Sequence, residues 1–406
     1  MRVLLSFARC LVPMCFVLMV GGESDTLAAG FTPGSLVVSQ YGDGTTSGTV
    51  PITLREFTTS GSATGWQVAL PTVGSGANRP IVGSISSTGI GLLKQSADSR
   101  FLSIIGSGTA ASTLTIARID NSGAVDSTTG FSVASGGGPT PRAAITSTGT
   151  DFWWSASPGN NDTAGIRYLT LGGTTTGVAL AQGTGASSTT PGGPNQVPLN
   201  ARSIGIFGGQ LYGSSNVAVG GGASAYSFRG VYNVGTGLPT VANQLGSIIV
   251  GGGTSNSGRI DGSWDFFIAD SSTIYVADDD TTAPATGGLQ KWLFSSGSWS
   301  KVWTAVPDGA TGMRGLTGVV TGSSVQLFGI TAMATGTAAN DLVALSDTLG
   351  GTLAPSFTTL ATASTNYVFR GVALAPVPEP TTLTLSLAGG AAVAAVVRFR
   401  RQRAGA

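Results

Sequence analysis

Three consecutive aspartates, Asp278, Asp279 and Asp280, form the densest run of metal-capable side chains in the sequence, in the stretch ADDDTTAPATGG. Carboxylate oxygens grouped in a loop are ligands that suit Ca²⁺. An EF-hand alternates its acids and closes on a bidentate Glu, and this run does neither. The competing reading is a solvated turn leading into a flexible loop. The chain contains no histidine. That absence removes the Ser-His-Asp triad, the Cys-His pair and every metal site built on imidazole. Glycoside hydrolysis needs two acids flanking one bond. Asp and Glu total 19, Glu23, Asp25 and Glu379 lie near the ends, and Glu56 is the one Glu between them. Asp265 and Asp270 flank the segment FFIA, where Asp270 suits an Asx-type turn. The expectation is a non-enzyme without cofactor or resident metal, with Asp278, Asp279 and Asp280 as weak metal candidates.

Arginine recurs at Arg79, Arg142, Arg202, Arg314 and Arg370, each opening a similar stretch. Two readings compete. Each Arg braces its unit against neighbouring carbonyls or acids, or together they ring an axial channel and attract an anionic polysaccharide. A net charge of +1 with 10% charged residues leaves no footprint for nucleic acid. The Gly-rich segments VGGGAS and IVGGGTSNSG lack the lysine and the helix of a phosphate loop.

The elements that carry these residues read as strands. No helical periodicity runs between residues 31 and 375. Short alternating segments are broken instead by Gly, Ser, Asn and Asp, as in SLVVSQYG, VPITLREFTTSG, IGIFGGQLYGSS, FFIADSSTIYVADD and LQKWLFSSGSWSKVW. Similar units begin at Arg79, Arg142, Arg202, Ser263 and Arg314, with a truncated start at Arg370. A repeat of about 40 to 60 residues holding four strands matches one blade of a β-propeller. The truncated last start predicts that YVFRGVALAP supplies an inner strand and residues 35–77 the rest of one shared blade. The ring then closes between the two ends and leaves no open edge. The prediction is an all-β propeller of about six blades, with seven as the alternative count and a β-sandwich or β-solenoid as the alternative fold. Phe152, Trp153, Trp154, Tyr212, Tyr275 and Phe328 fall on second strands and are expected to pack between blades, with sugar stacking as the other use.

The ends carry a different message. Arg2 and Arg9, the apolar stretch from Cys10 to Val20, and TLAAG have the three parts of a secretory signal, with cleavage after Ala28 or Ala29. An N-terminal anchor helix is the competing reading, and Met14 before Cys15 argues against a lipoprotein signal. Cleavage would remove Cys10 and Cys15, the two cysteines of the chain. At the other end, Thr381 to Val397 is uncharged and apolar. As a helix it would span about 26 Å, the short end of what a bilayer requires. Arg398, Arg400, Arg401 and Arg403 follow and would hold the C-terminus in the cytoplasm.

Val377-Pro378-Glu379-Pro380, then an apolar helix, then an arginine cluster resembles the PEP-CTERM sorting signal of Gram-negative bacteria. In that family a membrane protease-transferase, the exosortase, recognises and processes the tail. The resemblance covers about the last thirty residues. More loosely, the whole chain resembles propeller-bearing exported proteins of bacteria with exosortase sorting. It implies a signal peptide over 1–29, a propeller body over 30–375 and a sorting signal over 376–406 with a transmembrane helix at 381–397. It also implies transit through the inner membrane, delivery to the cell surface or beyond, and an exopolysaccharide or biofilm setting. The implied partners are the secretion machinery, signal peptidase, the exosortase and exopolysaccharide. A structural or adhesive role follows, with a carbohydrate-binding propeller or a weak glycan hydrolase or lyase as the alternative.

Overall fold

The computed structural model describes residues 30–379 except 46, 109–111, 134–139, 158–164, 181–196, 199, 217–228, 252–259, 261, 281–286, 311 and 333–337. The candidate cleavage site at Ala28 and Ala29, the segment 381–397, Pro380 and Arg398, Arg400, Arg401 and Arg403 lie outside those residues. Among the described residues no helix is long and apolar enough to cross a membrane.

Six antiparallel sheets of four strands make up the body. The first blade joins the two ends of the chain, because Val368–Leu374 forms its innermost strand and Leu36–Tyr41, Ile52–Phe57 and Ala63–Ala69 follow outward. The second blade runs outward through Lys94–Gln95, Phe101–Ser107, Thr113–Asp120 and Val125–Ser132. The third contains Thr140–Ile145, Asp151–Ser157, Gly165–Thr170 and Val178–Ala179. The fourth contains Ile204–Phe207, Gln210–Ser215, Gly230–Val234 and Gly246–Gly251. The fifth contains Ser263–Asp270, Thr273–Asp278, Gly288–Ser295 and Ser298–Ala305, and the sixth Met313–Thr321, Ser324–Thr331, Asp341–Thr348 and Thr358–Thr362. The molecule is therefore a six-bladed β-propeller. The expected shared blade forms as its sequence required, with Leu36 opposite Leu374 and Tyr41 opposite Val368.

Local chemistry explains the hairpins. In the fifth blade Ser295 pairs with Ser298. The two residues between them, Ser296 and Gly297, have φ of 52° and 81°, the left-handed pair that a tight two-residue turn requires. Asp270 makes its Asx turn, accepting from the Ser272 N–H at 2.8 Å and the Ser272 hydroxyl at 2.9 Å.

Six buried apolar clusters lie between neighbouring blades. The cluster that closes the ring packs Leu36, Val38 and Phe369 of the first blade on Phe328, Ile330 and Leu342 of the sixth. Side chains alternate across a strand. Phe152 and Trp154 therefore meet Phe131 and Ile116 of the second blade, and Trp153 between them meets Leu211 and Tyr232 of the fourth. Phe152, Trp153, Trp154, Tyr275 and Phe328 are all buried, and Tyr212 is half-buried. They pack the blades, as expected of second strands.

One unit start is displaced. The stretch RPIVGSISSTGIGLLKQS from Arg79 does not start with its inner strand; it includes Gly83–Ser84, which pairs with Thr49–Val50, and the inner strand of the second blade is Lys94–Gln95 near its end. The apolar GIGLL ahead of Lys94 runs toward the axis without an arginine, so the Arg marker and the strand come apart in this blade.

Candidate anion-binding mouth of the channel

The innermost strands of all six blades begin at one end of the axial channel, so residues at their starts converge there. Arg142 lies near the start of Thr140–Ile145, Arg202 just precedes Ile204–Phe207, and Arg314 follows the first residue of Met313–Thr321. In the fifth blade the corresponding position holds Trp264. The guanidinium carbons of Arg142, Arg202 and Arg314 lie 5.0, 3.9 and 4.9 Å from the Trp264 ring centroid. With Asp279 and the loop Ser86–Gly89 they line a cup of about 520 Å³. That size falls within the range of roughly 300 to 1,000 Å³ common for small-ligand sites.

Among the described residues the cup holds one carboxylate against three guanidinium groups. Asp279 accepts from Arg314 Nε at 2.8 Å. Arg314 Nη1 reaches the Thr88 carbonyl at 3.4 Å, Arg142 Nη1 the Gly89 carbonyl at 3.1 Å, and Arg202 Nε the Asn216 side-chain oxygen at 3.2 Å. Burial, and then the neighbouring Arg202 charge, push Arg142 down to about 9. Burial first, with Arg314 opposing Asp279 after it, pushes Arg202 down to about 10. Both stay protonated at neutral pH, and the repulsion between them is only partly offset.

Below the cup the inner strands are tied together at one carboxylate. Asp265, which is 1% exposed, receives the Lys94 ammonium, the Ser203 hydroxyl at 2.7 Å, the Leu316 N–H at 3.0 Å and its neighbour Phe266 N–H at 2.8 Å. The second, fourth, fifth and sixth blades meet on this one carboxylate. Further along the same inner strands, Leu93, Ile204, Phe266 and Leu316 line a cavity of about 250 Å³ together with Gln95 and Thr317.

The five sequence arginines thus part company. Arg142, Arg202 and Arg314 gather at the mouth. Arg370 is buried behind the Ser86–Gly91 segment, donating through Nη2 to the Ile85 carbonyl at 2.7 Å. Arg79 lies at the edge of the second blade, with Nε on the Thr128 carbonyl at 3.3 Å. The bracing reading describes the contacts of Arg79 and Arg370 on backbone and of Arg142 and Arg314 on carbonyls and an acid; Arg142, Arg202 and Arg314 also lie together at the channel mouth. Sequence reading missed Trp264 and Lys94, and noted Asp265 beside FFIA without giving it a role. The signal for Trp264 was there, since starting the fifth unit one residue later, at WDF, puts Trp264 in line with the Arg of RAA, RSI, RGL and RGV.

The aspartate run does not form a cage. Asp278 is buried and accepts from the Asp280 N–H and Gln290 Nε2, both at 2.8 Å. Asp279 turns to Arg314. Among the described residues no three acidic, Cys or His side chains converge as a metal site. Glu56 is buried as a structural acceptor for the Thr32 N–H at 2.5 Å, the Ser35 hydroxyl at 2.5 Å and the Thr64 hydroxyl at 2.6 Å.

No family model matches the chain, and no curated protein does. Several solved structures are similar in fold. A candidate 6-phosphogluconolactonase from Bacteroides uniformis aligns at 13% identity and a TM-score of 0.43, over 81% of this chain and 82% of its own. An α-L-arabinofuranosidase from Fusarium graminearum aligns at 14% identity and 0.40, over 78% and 94%. The β-propeller domain of the Trilobed protease from Pyrococcus furiosus aligns at 8% and 0.34, over 80% and 98%. The six-bladed architecture itself rests on the strand pairing above.

Proposed function

We propose that this chain is an exported, non-catalytic propeller that an exosortase sorts through its C-terminal segment and that serves a structural or adhesive role within exopolysaccharide. The observation that carries the reading is where the ends of the body lie. Val377 N–H donates to the Ser99 carbonyl at 2.8 Å, at the end of the channel opposite the arginine cup. Asn121 Nδ2 donates to the carbonyls of both Phe31 and Pro376 at that same end. Val377, Pro378 and Glu379 are exposed there, and Glu379 meets Arg100 at 3.2 Å. A tail running from this point into a bilayer would turn the cup away from the membrane. A cleaved leader would leave its new N-terminus beside the same face. The absence of histidine and the burial of Glu56 support a non-catalytic body.

The test is the intact mass and location of the protein in cells with and without a functional exosortase. Loss of the segment after the Pro378–Pro380 motif in exosortase-positive cells alone is the expected result. A full-length C-terminus held in the membrane of both strains would overturn the sorting part of the reading.

A further inference from the structure

We propose that the cup formed by Arg142, Arg202 and Arg314 around Trp264 binds the carboxylate of an acidic sugar residue. This inference rests on the adhesive part of the reading above and is independent of sorting.

Among the described residues the charge at the site is unbalanced in one direction, with three guanidinium groups against the carboxylate of Asp279. The donors are also uncommitted. Arg142 is 8% exposed, yet its Nε has no hydrogen-bond partner. Arg202 spends Nε on Asn216 and makes no hydrogen bond through either Nη among the described residues. A planar guanidinium with two free N–H groups matches a planar carboxylate in a paired, bidentate contact.

Trp264 keeps this arrangement in place before any ligand arrives. It is 4% exposed, and the three cations crowd its ring. Holding the guanidinium planes in advance reduces the ordering cost of binding. With its ring so covered, Trp264 acts as a platform for arginine rather than for a pyranose face. The remaining wall suits a polyhydroxylated ligand, because Ser86, Ser87, Thr88 and Thr140 supply hydroxyl and backbone groups around the cations. A peptide carboxylate would need an apolar recess for its side chain, and among the described residues the cup wall has none beside Trp264. A nucleic acid would need a basic track, and the whole chain carries +1.

The experiment is calorimetric titration of the full chain in detergent micelles with trigalacturonate, its methyl ester and inorganic sulfate. Trigalacturonate is expected to bind, more weakly as salt rises, and the neutral ester to fail. Arg202→Gln is expected to weaken binding roughly tenfold or more. Arg142→Lys keeps the charge but loses the fork, and is expected to weaken it as well. Thermal unfolding of each variant shows whether it is folded. Equal binding of acid and ester, no binding by folded wild-type protein, or unchanged affinity in folded Arg202→Gln would overturn the proposal. Sulfate binding as tightly as trigalacturonate would overturn the sugar part and leave a plain anion site. None of these outcomes touches exosortase processing, which the mass measurement reads separately.

Discussion

Phe31 and Pro376 offer their carbonyl oxygens to one amide, each 2.7 Å from Nδ2 of Asn121. The chain enters and leaves the propeller at this point, and the second blade holds both ends onto the first. The Phe31 N–H returns the contact to the Asn121 carbonyl at 2.8 Å.

Removing that amide should loosen both ends together. Asn121→Ala is expected to cost about 1–3 kcal/mol, because two carbonyls lose their donor. Urea unfolding measures the cost. Amide exchange should quicken at Phe31 and Val377 alike; a change at one end alone would mean that the ends are held separately.

The buried pair of Lys94 and Asp265 predicts a larger effect. Lys94 is buried and contacts Asp265, which is 1% exposed. Lys94→Met leaves the carboxylate without its cation and is expected to cost about 3–5 kcal/mol. The double variant Lys94→Met/Asp265→Asn should be less destabilised than the sum of the two singles. Chemical unfolding of the four proteins gives the coupling, and strict additivity would show that the pair is not coupled.

Asp278 makes stability depend on pH. Burial, reinforced by the nearby charges of Asp279 and Asp280 and opposed by the Asp280 N–H, pushes its carboxyl up to about 7. The folded state therefore holds a proton that the unfolded chain releases at lower pH. This group's stabilising contribution is complete in acid, below the unfolded carboxylate range, and is lost as pH rises through about 7. Asp278→Asn should flatten that decline, by an amount on the order of a few kcal/mol across the window. Melting temperatures from pH 4 to 8 test it; parallel curves for the two proteins would refute the assignment.

Gly371 has no room for a side chain. A Cβ placed there would lie 2.3 Å from the Leu93 backbone nitrogen and 2.7 Å from the Gly91 carbonyl oxygen. Gly371→Ala is expected to push the first and second blades apart at the axis and cost about 1–3 kcal/mol. Unfolding should report the loss, with ligand binding at the cup changed less than stability.

Strand identity and order were legible in the sequence because they are local. Alternation in SLVVSQYG or FFIADSSTIYVADD fixes a strand and its faces within a few residues. The four-strand period then requires a ring, and the truncated start at Arg370 requires that residues 35–77 complete its blade. The roles of Phe152, Trp153 and Trp154 follow from the same alternation.

Which polar side chains would meet was not local, and the tertiary structure decided it. Lys94 and Asp265 come from different blades, and nothing near either residue in sequence names the other. Arg79 and Arg142 look alike as unit starts, yet one lies at a blade edge and the other at the channel mouth. The difference arises because the second blade's inner strand begins after GIGLL, so its arginine falls outside the ring. Trp264 gathers three arginines only once inner strands from separate blades are brought around one axis. Backbone pattern is set by neighbours in the chain, whereas convergence at an axis is set by closure of the ring.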